Sequence, residues 1–151
     1  MPADFDTRTW RPTGARFAGL AAMLAIVLMC GVVWVAWGPR IQGYFNTGQR
    51  LTIIGLFLML FAAWWAVARS RLTADPSGVT VVNGYRTRRF EWAQVVDARL
   101  RHGAPWAEMD LSDGTTVVVF GVQSADGSSA HKAMKDFRGM LAAHSGTEPD
   151  R

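Results

Sequence analysis

The amino-acid sequence predicts a two-helix transmembrane hairpin followed by a mainly-β domain that is closed by one C-terminal helix. Three observations predict this architecture. Residues 17–38 and 51–68 are long apolar runs without a charge, short β-prone runs separated by turn residues follow from residue 69, and a last segment carries apolar residues at helical spacing. Half of the residues are hydrophobic while the mean hydropathy is only +0.09, so the apolar residues are concentrated in blocks.

The two apolar runs have the length of membrane spans. At 1.5 Å per residue, residues 17–38 and 51–68 reach about 33 and 27 Å, close to the ~30 Å hydrocarbon core of a bilayer. Tryptophans, whose amphipathic rings favour the headgroup layer, stand at the far end of each run: Trp34, Trp37, Trp64 and Trp65. A cleaved signal peptide and a pair of buried core helices are the alternatives. The first run exceeds a signal-peptide core and precedes no A-x-A-like site, and neither run has a polar stripe.

The charges that flank the spans predict their orientation. Residues 1–16 form an N-terminal flank with three arginines, and residues 39–50 form a connector with two. Arg69 and Arg71 follow the second span directly. Because cytoplasmic flanks carry the excess of Lys and Arg, the sequence predicts a multi-pass protein of the cell membrane whose termini and β domain are cytoplasmic.

Six antiparallel strands are predicted between residues 72 and 120. Asn83-Gly84 separates two β-prone runs and predicts a hairpin whose two turn residues both have positive φ. Residues 112–114, Ser-Asp-Gly, separate two further runs and predict a second hairpin. Apolar and polar residues alternate in two of the strands, and the positions predicted to face the core are Val96, Ala98, Leu100, Ala107, Met109 and Leu111.

Residues 128–143 predict the closing helix. Its apolar residues fall on one face at steps of four, three and four: Ala130, Met134, Phe137 and Leu141. We expect Phe137 to be buried where this face packs on the sheet. The β domain then covers residues 69–144, and residues 145–151 form a polar tail that is expected to be disordered.

The order of these segments resembles a known family. Residues 75–84, the Phe90-Glu91-Trp92 run, residues 111–115 and the closing helix are similar to the bacterial pleckstrin-homology-like (PH) domain, in the version of the low-molecular-weight protein antigen membrane proteins. The resemblance implies a PH-like sheet or partly open barrel after two spans, without an agreed activity. Phosphoinositide-binding relatives carry a basic cluster around the first hairpin loop, whereas residues 74–78 here contain one acid and no base.

Residues that could perform catalysis or bind a metal are scattered. The three histidines are His102, His131 and His144, and no pair of them has metal-ligand spacing. Glycine-rich phosphate loops are absent from the sequence, and the single cysteine, Cys30, lies inside the first span. Glu108 and Asp110 share a strand face, which is more typical of a solvated surface than of acid–base chemistry. We therefore expect no enzyme activity, no cofactor and no metal.

Arginines form the one feature that stands out in the β domain. Residues 69–101 carry a net charge of +4 and residues 102–151 a net charge of −3. Candidate contacts to lipid or to a partner are Arg86, Arg88, Arg89, Arg99 and Arg101. Arginines on an edge strand also protect a sheet from aggregation, which is the alternative explanation. Because Phe90 shares a strand face with Arg86 and Arg88, a bulge or twist near Arg88-Arg89 is predicted.

These features lead to ranked hypotheses about function. The first is a non-enzymatic membrane protein that displays a binding or assembly module for a protein partner or a second copy of itself. The second is a sensor or binder of anionic membrane lipid headgroups through the arginines. The third is an accessory subunit of a membrane complex. Nucleic acid is not expected as a partner, because the β domain and its tail have a net charge of only +1 and the basic strand lacks an aromatic platform.

Overall fold

The structure, a computed structural model, describes residues 7–145. Its elements are, in chain order, β1 (Arg8–Trp10), α1 (Thr13–Gln42), α2 (Thr47–Arg69), β2 (Arg71–Asp75), β3 (Gly78–Asn83), β4 (Arg86–Phe90), β5 (Val95–Arg99), β6 (Trp106–Leu111), β7 (Thr116–Gln123) and α3 (Ser128–Ser145). The predicted tail lies outside the described residues except for Ser145, which ends α3.

Helices α1 and α2 form an antiparallel hairpin, since the Trp64 indole near the end of α2 donates to the Arg16 carbonyl near the start of α1, 3.2 Å away. The chain kinks at Gly38, which has a φ of 67°, and Asn46 caps α2 by accepting from the Gln49 N–H at 2.9 Å. Both helices are long and apolar enough to cross a membrane, and their most apolar windows are 0% and 6% buried. Buried core helices of a soluble bundle show the opposite exposure.

The strands form two antiparallel sheets, in the orders β1-β2-β3-β4 and β5-β6-β7. All six predicted strands are present. Strand β7 packs across β2 and β3, and α3 packs on β5 and β7. The described residues form no closed barrel, so the predicted sheet or partly open barrel is two packed sheets with a helix beside them.

Strand β1 was not predicted, and it joins the N-terminal flank to the β domain. It pairs with β2, with Arg8 opposite Ala74 and Trp10 opposite Leu72. The Trp10 ring packs edge-on against Phe137 at 5.9 Å, and Arg8 forms a salt bridge with Asp136 at 3.5 Å. The chain therefore contributes to the sheet before it enters α1 and again after it leaves α2.

The core of the domain lies between the two sheets and α3. Phe137 is fully buried, as predicted, between the rings of Trp10 and Trp92. The other predicted apolar positions of the helix are also buried: Ala130, Met134 and Leu141. The periodicity of residues 128–143 thus identified the face that packs on the sheets.

Two local predictions about the strands were wrong. The β3–β4 hairpin turns at Gly84-Tyr85 rather than at Asn83-Gly84, and of these residues only Gly84 has a positive φ. Glycine at the first of two loop positions suits a type II′ turn, which leaves Asn83 in the strand. In β5, the pairing register shifts between Val95 and Asp97, so that Val95 is buried and Val96 is 62% exposed.

Candidate functional site

The five arginines singled out in the sequence lie on two sheets and differ in their partners. Arg89 pairs with Asp75 at 3.3 Å. Arg99 pairs with Asp110 at 2.7 Å, and Arg101 pairs with Glu108 at 3.2 Å. Within residues 7–145, no carboxylate lies within salt-bridge distance of Arg86 or Arg88. The structure thus brings together only Arg86 and Arg88 as an unpaired pair of cations.

Strand β4 carries Arg86 and Arg88 in a regular register. Arg86 lies opposite Asn83, Arg88 opposite Val81 and Phe90 opposite Val79, without a shift. Of the bulge or twist predicted near Arg88-Arg89, the bulge is therefore absent. Phe90 packs against the core, while Arg86 and Arg88 on the same face are exposed, because the inner face of the sheet opens to solvent at this end of β4.

A groove follows from this opening, and we call it the seam groove. It lies between the inner face of β3 and β4 and the free edge of β7, and its volume is about 260 Å³. Val81 and Val117, both buried, lie at its base, and Arg86 and Arg88 line the β4 side. The seam groove is consequently a small cationic site with an apolar floor.

Asn83 closes one end of the seam groove. Its side-chain nitrogen donates to the Val118 carbonyl, and its side-chain oxygen accepts from the Phe120 N–H at 2.9 Å. A single amide thereby occupies two backbone groups on the free edge of β7. The sequence predicts Asn83 only as a turn residue, and this contact was not predicted because it depends on the one-residue displacement of the turn.

The tip of the β3–β4 hairpin docks on the end of α2. The Tyr85 hydroxyl donates to the Ala62 carbonyl at 2.7 Å, and the Arg69 guanidinium lies 5.6 Å from the Tyr85 ring centroid. Buried Ser70 links both elements, since its hydroxyl donates to the Ala66 carbonyl and accepts from the Gly84 N–H, each at 2.9 Å. The hairpin is therefore held beside the last two turns of the apolar helix.

The start of α1 is also fixed to the β domain. The Asp126 carboxylate accepts from the Gly14 N–H at 2.6 Å and lies 3.5 Å from the Thr13 hydroxyl. A carboxylate at this place satisfies free N–H groups and the positive end of the helix dipole. Both apolar helices thus contact the domain through specific hydrogen bonds at their domain-side ends.

The β2–β3 loop, residues 74–78, is acidic here, whereas the corresponding loop of relatives that bind phosphoinositides is basic. Hydrogen bonds from the Ser77 hydroxyl and backbone N–H, with the nearby Arg89 guanidinium, lower the pKa of Asp75 despite the opposing effect of burial. The Asp75 carboxylate is therefore charged at neutral pH and already partnered. This loop offers no cationic surface to an anion.

Side chains suited to metal binding are not grouped in the described part of the chain. No three His, Cys, Asp or Glu residues between 7 and 145 come together. The His131 ring contacts the Gly127 carbonyl at 3.0 Å, and the His144 ring stacks on Trp92 at 4.1 Å. Glu108 and Asp110 bind arginines across the strand pair, consistent with a solvated face.

Comparison with known proteins finds a match for the β domain. Residues 69–139 match the family model of the bacterial PH domain. The match begins at the last residue of α2 and ends within α3, so strand β1 lies outside it. No curated protein and no solved structure matches the chain significantly.

Proposed function

Because residues 69–139 belong to the bacterial PH domain family, we propose that the chain is a non-enzymatic integral membrane protein that displays this domain as a binding module for a protein partner. Binding is the role that this family match supports. The finer identification as the low-molecular-weight protein antigen type remains part of this proposal.

Membrane anchoring rests on the exposure of α1 and α2. Large apolar side chains cover both helices and face outward, among them Leu28, Val35 and Leu58, each more than 60% exposed. Exposed apolar surface of this extent needs lipid or another protein to cover it. The hydrogen bonds of Tyr85 and Asp126 then hold the domain against the membrane surface in one orientation.

A single observation carries the choice of a protein partner: β4 is an edge strand that is exposed from Arg86 to Arg89. The two-residue turn makes Asn83 and Arg86 a hydrogen-bonded pair, so the backbone groups of Thr87 and Arg89 point away from β3. An extended segment can add to such an edge. The arginines would favour an acidic segment and repel a basic one.

Photo-crosslinking of the full chain in native membranes tests this proposal. A photoreactive residue at Thr87 is expected to yield a discrete protein adduct, and changing Arg86, Arg88 and Arg89 together to Gln is expected to reduce it several-fold. Val96, exposed on the other sheet, is the matched control site. A second copy of the chain in the adduct identifies a homo-oligomer. Equal products from Thr87 and Val96, or no product, would contradict the proposal.

Anionic lipid is a second candidate ligand, favoured by the position of the unpaired arginines. Arg86 follows Tyr85 directly, and Tyr85 contacts α2 within its apolar run. Each Arg close to an anionic leaflet contributes about 1 kcal/mol to attraction. The lipid would act here in addition to a protein partner rather than in its place.

The orientation of the chain gives a separate prediction. With the domain in the cytoplasm and the connector outside, a cysteine at Asn46 is expected to react with an impermeant thiol reagent in intact cells, and one at Ser145 is not. Both are placed in a Cys30→Ala background, because Cys30 is the chain's only cysteine. Labelling of the cysteine at Ser145 but not of the one at Asn46 would show the opposite orientation.

A further inference from the structure

The seam groove combines the two arginines without carboxylate partners with a small volume. Its 260 Å³ lie just below the roughly 300–1,000 Å³ of sites for drug-sized ligands. Arg86 and Arg88 are two residues apart on one strand face, so their side chains enter from the same side. Two guanidinium groups beside a small cavity suit one compact anion such as a phosphate.

The free edge of β7 contributes a donor to the seam groove. The Leu111 N–H donates to the Thr115 carbonyl, which starts the β6–β7 ladder at a hydrogen-bonded pair. Alternation along the ladder then directs the backbone groups of Thr116 and Val118 away from β6. The Val118 carbonyl accepts a hydrogen bond from the Asn83 side chain, whereas the N–H of Val118 lies on the groove side.

The same contact disfavours a peptide in the seam groove. An added strand needs consecutive backbone groups along the edge of β7, and Asn83 occupies the Val118 carbonyl and the Phe120 N–H. What remains is a short stretch at Thr116 and Val118. A compact anion fits this remainder better than an extended chain does.

The seam groove also lies beside the lipid headgroups if α2 crosses the membrane. Ala62, which binds the Tyr85 hydroxyl, precedes Arg69 by seven residues, about 10 Å along the helix axis. The Tyr85 side chain at the hairpin tip therefore reaches about two turns back from the C-terminal end of α2. Arg86 is the residue that follows Tyr85. The groove opens where headgroup phosphates are concentrated.

We propose that the seam groove binds the phosphodiester of one anionic phospholipid headgroup through Arg86 and Arg88, with the Val118 N–H as an additional donor. This site deepens the second candidate of the proposed function. It uses the inner face of β4, whereas a protein partner would pair with the backbone edge of the same strand, and Arg86 and Arg88 border both surfaces. It differs from diffuse surface attraction because Arg89, Arg99 and Arg101, already paired with carboxylates, take no part.

The test uses the full chain in phosphatidylcholine nanodiscs and follows amide and side-chain NMR signals. Titration with short-chain phosphatidylglycerol is expected to shift the signals of Asn83, Val118 and the Arg86 and Arg88 side chains. Arg86→Gln with Arg88→Gln is expected to weaken this binding by about tenfold or more, since two cations near the phosphate are lost. The melting temperature is expected to change little, because both side chains are exposed.

Arg99→Gln with Arg101→Gln is the matched control, which removes the same charge from the other sheet. Binding within about twofold of the parent is expected there. Equal losses in the two double variants would overturn the site in favour of diffuse attraction. Inorganic phosphate that shifts the same signals with equal affinity would overturn the lipid assignment. If phosphatidylglycerol produces no shift, the groove proposal fails, whereas an arginine-dependent adduct at Thr87 would leave the protein-partner proposal standing.

Discussion

Replacing Phe137 by alanine is expected to destabilise the β domain by roughly 3–5 kcal/mol, the usual cost of removing a core phenylalanine. Its ring is fully buried and packs on both Trp10 and Trp92. The loss is comparable with the total stability of many domains of this size, so the variant is expected to be largely unfolded at physiological temperature. Thermal unfolding of the full chain in detergent, followed by near-ultraviolet circular dichroism, measures the effect.

Lys132→Ala on the exposed face of α3 is the matched control, and a change within about 0.5 kcal/mol is expected. If Phe137→Ala melts within a degree or two of the parent, α3 does not dock on the sheets as described.

Gly121→Ala is expected to cost about 3 kcal/mol or more, at the upper end of overpacking effects. A Cβ added at Gly121 would lie 2.6 Å from the Arg71 carbonyl carbon and from the Leu72 nitrogen. These are backbone atoms, which cannot rotate away, so β7 would have to separate from β2. The same unfolding measurement reports the loss.

Gly139→Ala provides the control for the change of residue type. No atom lies within 4 Å of a Cβ built there, and the position is exposed in α3. Alanine is the better helix former, so this variant is expected to be as stable as the parent or more stable by about 0.5–1 kcal/mol. If both glycine variants behave alike, the close approach of β7 to β2 is not a feature of the folded chain.

Local patterns were sufficient to predict most elements of the fold. The spacing of Ala130, Met134, Phe137 and Leu141 encodes the buried face of α3, because helical periodicity is a property of neighbouring residues. The alternation of residues 107–111 encodes the buried face of β6 in the same way. The apolar runs of α1 and α2 needed only length and composition.

Features that depend on distant residues were missed. Strand β1 has three residues, too few for a pattern, and it exists because β2 pairs with it across the whole helical hairpin. The turn at Gly84-Tyr85 differs from the prediction by one residue, since Asn83 gains hydrogen bonds to β7 by staying in the strand. Such gains are visible only after the two sheets are packed.

The five candidate arginines include some whose pairing is readable from the sequence and some whose exposure is not. A cross-strand signal was present in the sequence: Arg99 and Arg101 alternate in step with Glu108 and Asp110 of the next strand, which is how the two sets pair. This alternation distinguishes Arg99 and Arg101, which have carboxylate partners, from Arg86 and Arg88. The freedom of Arg86 and Arg88 could not be predicted, because it depends on where the inner face of β4 opens.

The proposed lipid site requires that docking of the hairpin tip on α2 holds the seam groove at the level of the lipid headgroups. The direct measurement is the depth of spin labels on the full chain in bilayers, from their relative exposure to oxygen and to a water-soluble nickel complex. A label at Thr87, close to the tip, is expected at headgroup depth, and one at Ser77, at the opposite end of β3, is expected in water. Two labels with the same fully aqueous exposure would show that the hairpin tip does not reach the headgroups.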